Sequence, residues 1–166
     1  AEPLFRSLSL TIRDLRIGQD RTVVFPVTKA KVRRLFGLAE DEELHCEIVD
    51  SNLKLIKSQD DIGLISTFAE LVGAVDEDLV IAVHEVTGYT IRDFVGYGFD
   101  FDECSLLPEV TTKRDLGEYW VDAIGGVSNL SREQRDMYFD YEAYGRDIAL
   151  DSSGGFSSYG YVEIPF

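Results

Sequence analysis

The thirteen residues from Asp136 to Ile148, DMYFDYEAYGRDI, hold four carboxylates, three tyrosines and one arginine. Two carboxylates whose surroundings drive their pKa values apart can do general acid–base work, with Tyr or Arg holding an anion. The same residues can instead make a structural knot. Arg146 lies close in sequence to Asp140, Glu142 and Asp147, so a bidentate arginine–carboxylate pair is chemically reasonable. Tyr138, Tyr141 and Tyr144 recur at the spacing of one helix face, with Phe139 beside them and Gly145 placed to end the helix. The plain reading is a helix end whose tyrosines enter a core or a subunit contact, pinned by a buried arginine.

Other candidates for chemistry are weaker. In DFDECS (100–105), Asp100, Asp102 and Glu103 could ligate a divalent metal, but the order is not that of a calcium loop. A magnesium site needs only one or two carboxylates with a substrate phosphate, which keeps a small acidic metal-dependent phosphoester hydrolase as an alternative. His45 and His84 sit in no metal or catalytic frame, and no GxGxxG, Walker A or GxSxG motif occurs. No basic stripe is present to hold nucleic acid. The expectation is therefore no catalytic residue, no metal and no cofactor. Cys46 and Cys104 are far apart and form no CxxC motif, so they read as reduced thiols of a cytoplasmic protein. No run approaches the ~20 apolar residues that span a bilayer, and no membrane partner is expected.

The strongest signal is charge. The chain has 166 residues with 31 acids and 16 bases, net −15, where a small domain ordinarily carries about 2–8. Residues 1–60 hold ten of each sign and are neutral. Residues 61–110 hold eleven acids against Arg92 alone, and residues 111–166 hold ten acids against five bases. Apolar residues are interleaved with the acids throughout, so this is a folded surface rather than a disordered polyanion. Such an excess costs stability through self-repulsion and calls for a reason.

Helices and strands must position these groups. SLSLTIR (7–13) alternates as a half-buried strand, and TVVFPV (22–27) reads as a second. Thr28 caps a helix from Lys29 to Phe36, stopped by Gly37, whose Lys29, Lys31, Arg33 and Arg34 make it basic. ELHCEIV (43–49) alternates again, with Leu44, Cys46 and Ile48 on one face. The period then becomes helical: Ile62, Ile65, Phe68, Ala69 and Val72 form a stripe capped by Ser58 or Asp60 and closed by Gly73. A helix over 76–86 buries Leu79, Val80, Val83 and Val86, and a short one from Thr90 buries Ile91, Phe94 and Val95. A strand near 104–110 precedes a helix from Thr112 to Ile124, whose predicted buried stripe is Leu116, Tyr119, Trp120 and Ala123. Ser131 caps another helix, with Glu133 or Gln134 near the capping-box position. DSSGGFSSYG (151–160) reads as a turn or flexible loop, and YVEIP as a closing strand. The expected architecture is α+β: an elongated chain of three small domains with an acidic surface, an α+β unit over 1–57, a helical middle over 58–103, and an α+β unit over 104–166.

On the helix from Thr112, Asp115, Glu118 and Asp122 share a face with axial steps of about 4.5 and 6 Å. Duplex DNA carries one charge per ~3.4 Å of axis on each strand, so such a row approximates phosphates. The plainer account is a solvated face with Arg114 and Glu118 paired at i,i+4. VDEDL (75–79) puts Asp76, Glu77 and Asp78 at a helix start, where the dipole favours each by about 0.3–1 kcal/mol. That does not explain why residues 61–110 offer only one base in return.

The run YFDYEAYGRDIALD (138–151), with YVEI (161–164) after it, resembles the ArdA antirestriction proteins of plasmids and conjugative transposons. FPVTKAKVRRLFGL (25–38), EIVDSN (47–52) and LGEYWVDAIGG (116–126) follow the family's order more weakly. The resemblance implies a non-enzymatic, elongated homodimer that mimics bent B-form DNA, binds no nucleic acid itself, and occupies the DNA cleft of the methyltransferase core of type I restriction–modification enzymes. On that reading the mimicking carboxylates are Asp61, Glu70, Asp76, Glu77, Asp78, Glu85, Asp93, Asp100, Asp102, Glu103, Asp115, Glu118 and Asp122. The structural or dimer-contact set is Tyr138, Asp140, Tyr141, Glu142, Tyr144, Gly145, Arg146 and Asp147. An acidic adaptor for some other basic DNA-binding protein is a further alternative.

Overall fold

The computed structural model describes residues 8–126 and 131–165, with the Tyr138 side chain outside that description. It contains seven α-helices and two three-stranded antiparallel sheets among the described residues, a mixed α+β chain. The chain forms two compact units. One comprises the residues through Val80 with Tyr89–Phe99, and the other comprises Ile81–Gly88 with the residues from Asp100 onward.

In the first unit, β1 (Leu8–Asp14) is the central strand, flanked by β2 (Gln19–Phe25) and β3 (Cys46–Ser51). Strict alternation along β1 puts Leu8, Leu10 and Ile12 in the core. The register pairs Leu8 with Phe25 and Ile12 with Ile48, and slips between Thr11 and Ile12 against β3. The β1–β2 turn is held by Asp14, fully buried, which accepts from the Arg16 backbone and from its guanidinium. Leu44 lies before β3 rather than in it, and of its expected face only Ile48 is buried.

Helix α1 (Lys29–Leu35) starts at Thr28, whose hydroxyl accepts from Lys31 N–H. Helix α2 (Ile62–Val72) buries the five residues its 3.6-residue period selects. Its cap is Asp61, one residue beyond the expected Asp60, which instead accepts from Lys57 N–H in the preceding turn. Helix α4 (Ile91–Tyr97) opens with a Thr90–Asp93 capping box and stacks Phe94 on Phe68 of α2 at 6.1 Å. Helix α3 (Glu77–Thr87) begins in the first unit and ends in the second.

The second unit has β6 (Gly160–Glu163) between β4 (Ser105–Leu107) and β5 (Gly155–Ser157). The Gly/Ser-rich stretch expected as a loop therefore contributes a strand and a tight turn. Glu85 holds that turn by accepting from Ser158 N–H at 2.8 Å and from its hydroxyl. The unit's other helices are α5 (Lys113–Ala123), α6 (Arg132–Tyr138) and α7 (Tyr141–Asp151), of which α5 and α7 pack on the sheet. Val110, Leu116 and Tyr161 form the unit's core, with Trp120 and Ile148 packed against it.

Candidate functional site

The candidate carboxylates divide by what their oxygens already do. Asp61 accepts from Leu64 N–H and pairs with Lys29 at 2.8 Å. Asp76 accepts from Asp78 N–H, and Asp93 closes the α4 box. Asp100 accepts from Asp102 N–H at 3.0 Å and so caps a single 3-10 turn, Phe101–Glu103. Asp115 receives both Thr111 donors and Thr112 N–H. Glu118 pairs with Arg114 at 3.2 Å, and Glu85 is held by Ser158. These seven have local structural work. Backbone donors are left over at every helix start, and a short carboxylate satisfies them.

The remaining six are different. No hydrogen bond or ion pair reaches the carboxylates of Glu70, Glu77, Asp78, Asp102, Glu103 or Asp122 among the described residues, and all but the half-buried Asp78 are exposed. Three of the ten bases of residues 1–60 are engaged nearby: Arg13 with Asp20 at 2.8 Å, Arg16 with Asp14 and with Glu42 at 3.5 Å, and Lys29 with Asp61.

Charge partners also set the titration behaviour. Hydrogen bonds from Lys29 hold Asp61 below the ordinary carboxylate range, those from Ser158 do so for Glu85, and those from the Thr111 and Thr112 pair for Asp115. Burial pushes the Cys104 thiol up to about 11 and also raises Cys46; both cysteines are free. Thiols raised in this way are poor nucleophiles at neutral pH. His45 is exposed and His84 half-buried. No group of three or more His, Cys, Asp or Glu side chains comes together as metal ligands among the described residues.

The signature stretch departs from its expected form. It is not one helix ending at Gly145 but two helices. Phe139 closes α6, Asp140 caps α7 by accepting from Ala143 N–H at 2.9 Å, and α7 continues to Asp151. Gly145 is buried mid-helix because α5 leaves it no room. A Cβ there would run into the Lys113 carbonyl oxygen and stand 2.9 Å from Gly117 N. Gly117 is the reciprocal case, its missing Cβ aimed at the Tyr141 carbonyl. The two helices thus meet backbone to backbone, which outweighs the ~1 kcal/mol that glycine costs a helix relative to alanine.

This contact also corrects the expected face of α5. Leu116, Gly117 and Val121 are its buried residues, while Tyr119 and Ala123 are exposed and Trp120 is half-buried. The expectation counted large apolar side chains and gave glycine no weight.

Tyr141 does enter the core, at 5% exposure, with the Arg114 guanidinium 5.3 Å above its ring and Phe139 at 4.8 Å. Tyr144 is half-buried against Phe139. Arg146 is not the buried pin. Its side chain is 55% exposed, and among the described residues its one ion pair is with Asp147, at 3.5 Å. Glu142 and Asp147 are exposed, and the Tyr138 side chain lies outside the described residues. The cation that serves the cluster is Arg114, from a different helix, which also reaches Asp136 at 3.9 Å. Nothing in the local sequence of the signature pointed to it.

No helix among the described residues is long and apolar enough to cross a membrane. Comparison with curated proteins gives no match. The family model for antirestriction protein ArdA matches residues 19–163, running from the start of β2 to the end of β6. With all seven described helices, five of the six strands and the α6–α7 signature inside that span, the chain belongs to the ArdA family of antirestriction proteins.

Proposed function

We propose that this antirestriction protein acts as a DNA mimic, a homodimer that fills the DNA cleft of the methyltransferase core of type I restriction–modification enzymes. One observation carries the reading: the carboxylates of Glu70, Glu77, Asp78, Asp102, Glu103 and Asp122 make no hydrogen bond or ion pair among the described residues. Carboxylates that build a fold find partners. These do not, and their mutual repulsion is a standing cost that the helix dipole offsets at Glu77 and Asp78 in the first turn of α3. A cleft lined with lysine and arginine recovers it.

DNA binding by such a cleft gains from the release of condensed counterions. A folded protein offering carboxylates in place of phosphates neutralises the same bases without base readout. Phosphate contacts carry no sequence information, so one mimic serves against enzymes of many specificities. Its preorganisation also avoids the deformation energy of bending a duplex, about 1–6 kcal/mol for a smooth bend of 40–90°. Two large exposed apolar side chains, Met137 on α6 and Leu150 on α7, support a subunit contact on the signature helices.

The test is competition. The protein is titrated against a labelled duplex bound to a type I methyltransferase core over a series of salt concentrations. Displacement with an affinity that falls steeply as salt rises is expected. An affinity indifferent to salt overturns the electrostatic account, and displacement at protomer concentrations where sedimentation shows only monomer overturns the dimer.

A further inference from the structure

Among the described large apolar side chains of the first unit, Tyr97 on α4 is the most exposed, at 68%. Its ring is nevertheless supported. Tyr89 lies 5.2 Å away, and Tyr89 in turn meets Phe94 edge-on at 5.7 Å and Phe99 at 6.2 Å. Phe94 carries this chain of rings into the core, where it is fully buried against Phe68. Glycine stands on both sides of Tyr97, and a Cβ added to Gly96 or Gly98 would meet nothing within 4 Å. The approach to the ring is therefore open. Asp93 lies one turn earlier on the same helix face. Its Oδ2 accepts from Thr90 N–H and hydroxyl, which leaves Oδ1 without a hydrogen bond among the described residues. The parts of this unit drawn from residues 61–80 and 89–99 hold six acids and one base, Arg92. Arg92, five residues before Tyr97, lies on another side of the helix.

We propose that Tyr97 and Asp93 anchor one arginine side chain of the basic partner, the ring taking the face of the guanidinium and Asp93 Oδ1 accepting from its N–H edge. This rests on the reading that the chain enters a cleft lined with basic side chains. Charge complementarity selects the occupant, since an acid excess disfavours a second acidic surface and draws in a cation. The ring selects arginine over lysine, because a planar guanidinium stacks on an aromatic face and keeps its edge for a carboxylate. The chain makes the same contact within itself: the Arg114 guanidinium lies 5.3 Å over the Tyr141 ring and pairs with Glu118. At Tyr97 the ring and the carboxylate are present, and no cation of the described residues lies over the ring. Because Tyr89 supports the ring before the partner arrives, less freedom is lost on binding. The ring bears no net charge, so its contribution adds nothing to the salt dependence of the complex.

The test compares the parent, Tyr97→Leu and Tyr97→Phe as competitors of a labelled duplex for a type I methyltransferase core at several salt concentrations. Tyr97→Leu keeps an apolar side chain and removes the ring, while Tyr97→Phe removes only the hydroxyl. The expected result is displacement about tenfold weaker for Tyr97→Leu, by the same factor at every salt concentration, with Tyr97→Phe close to the parent. Equal displacement by the parent and Tyr97→Leu overturns the anchor and leaves mimicry standing. Altered sedimentation of free Tyr97→Leu assigns the ring to a contact between copies and also overturns the anchor. If the parent does not displace DNA, mimicry fails, and the anchor is judged on the unaltered chain instead. The Tyr97 ring resonances are then followed during titration with hexa-arginine and with hexalysine at fixed ionic strength. Saturable shifts at a lower concentration of the arginine peptide support the anchor, whereas equal responses to both peptides, or none, overturn it. The same titration decides the matter if Tyr97→Leu no longer melts cooperatively.

Discussion

The two units carry acid and base in different proportions. The first, through Val80 with Tyr89–Phe99, holds sixteen acids and eleven bases, net −5, with Arg13, Arg16 and Lys29 paired around the β1–β2 hairpin and α1. The second holds fifteen acids and five bases, net −10. Two of its arginines, Arg114 and Arg146, make ion pairs, all with carboxylates of the same unit. The first unit sets an apolar core under a surface of mixed sign, with Glu70, Glu77 and Asp78 unpaired upon it. The second reaches a compact fold by bringing two helix backbones together and leaves its charge largely uncompensated. Fold and charge are therefore separable problems in this chain, and the second unit shows the separation most clearly.

The largest effects should come from breaking each unit's packing. Gly145→Leu forces α7 away from α5 and should cost about 3 kcal/mol or more in urea unfolding. Phe68→Ala opens the core of the first unit and should cost about 3–5 kcal/mol. If Gly145→Leu melts like the parent, the backbone contact is not what holds the second unit.

Next come the structural carboxylates. Asp115→Ala removes the α5 box and should cost about 1–2 kcal/mol. Amide replacement of Glu70, Glu77, Asp102, Glu103 and Asp122 together should leave the urea midpoint unchanged or raised, while weakening competition with DNA at low salt. A lowered midpoint would show that these acids build the fold after all.

Acid titration sharpens the same division. Asp61, Glu85 and Asp115 have folded pKa values below their unfolded ones. Their contribution is present at neutral pH and is lost as pH falls through those lowered values. Glu163 runs the other way, because its folded value is raised. The native state then holds more protons, and stability falls as pH rises from the unfolded value through the folded one. Urea midpoints followed from pH 7 to the acid limit should drop, and Glu163→Gln should raise the neutral end relative to the parent.

The smallest effect is expected of Arg146→Ala. An exposed pair contributes about 0–1 kcal/mol, so melting should barely move, whereas Arg114→Ala should lose the ring contact with Tyr141 as well as two carboxylates.

Much of the local structure was legible. Thr28, Thr90, Thr112 and Ser131 announced their helices because capping is decided within four residues. The α2 stripe was legible because a single strong period selected all five buried residues. What was not legible depends on something arriving from elsewhere. A glycine in a sequence marks either a stop or a close approach, and only the position of α5 decides between them at Gly145. Arg114 could not be assigned to the tyrosine cluster because it lies on a helix with an acid of its own at i+4. Strand β5 was hidden because Phe156, its one strong strand former, is set in a run of glycine and serine, and its pairing is supplied by β6. The candidate carboxylates were legible as an excess, but which of them were spoken for was not.

The backbone crossing at Gly117 and Gly145 sets two very different tolerances within one molecule. There, a single added carbon collides with a main-chain atom, so the permitted error is a fraction of an ångström. A surface carboxylate acts over a screening distance of about 8–10 Å, so it can migrate by a helical turn and still be felt by a basic partner. Substitutions would therefore accumulate among the acids long before they reached that pair. The stretch by which such a chain is most readily recognised is then its masonry, while an acidic surface can drift from one position to another with no single residue to mark it.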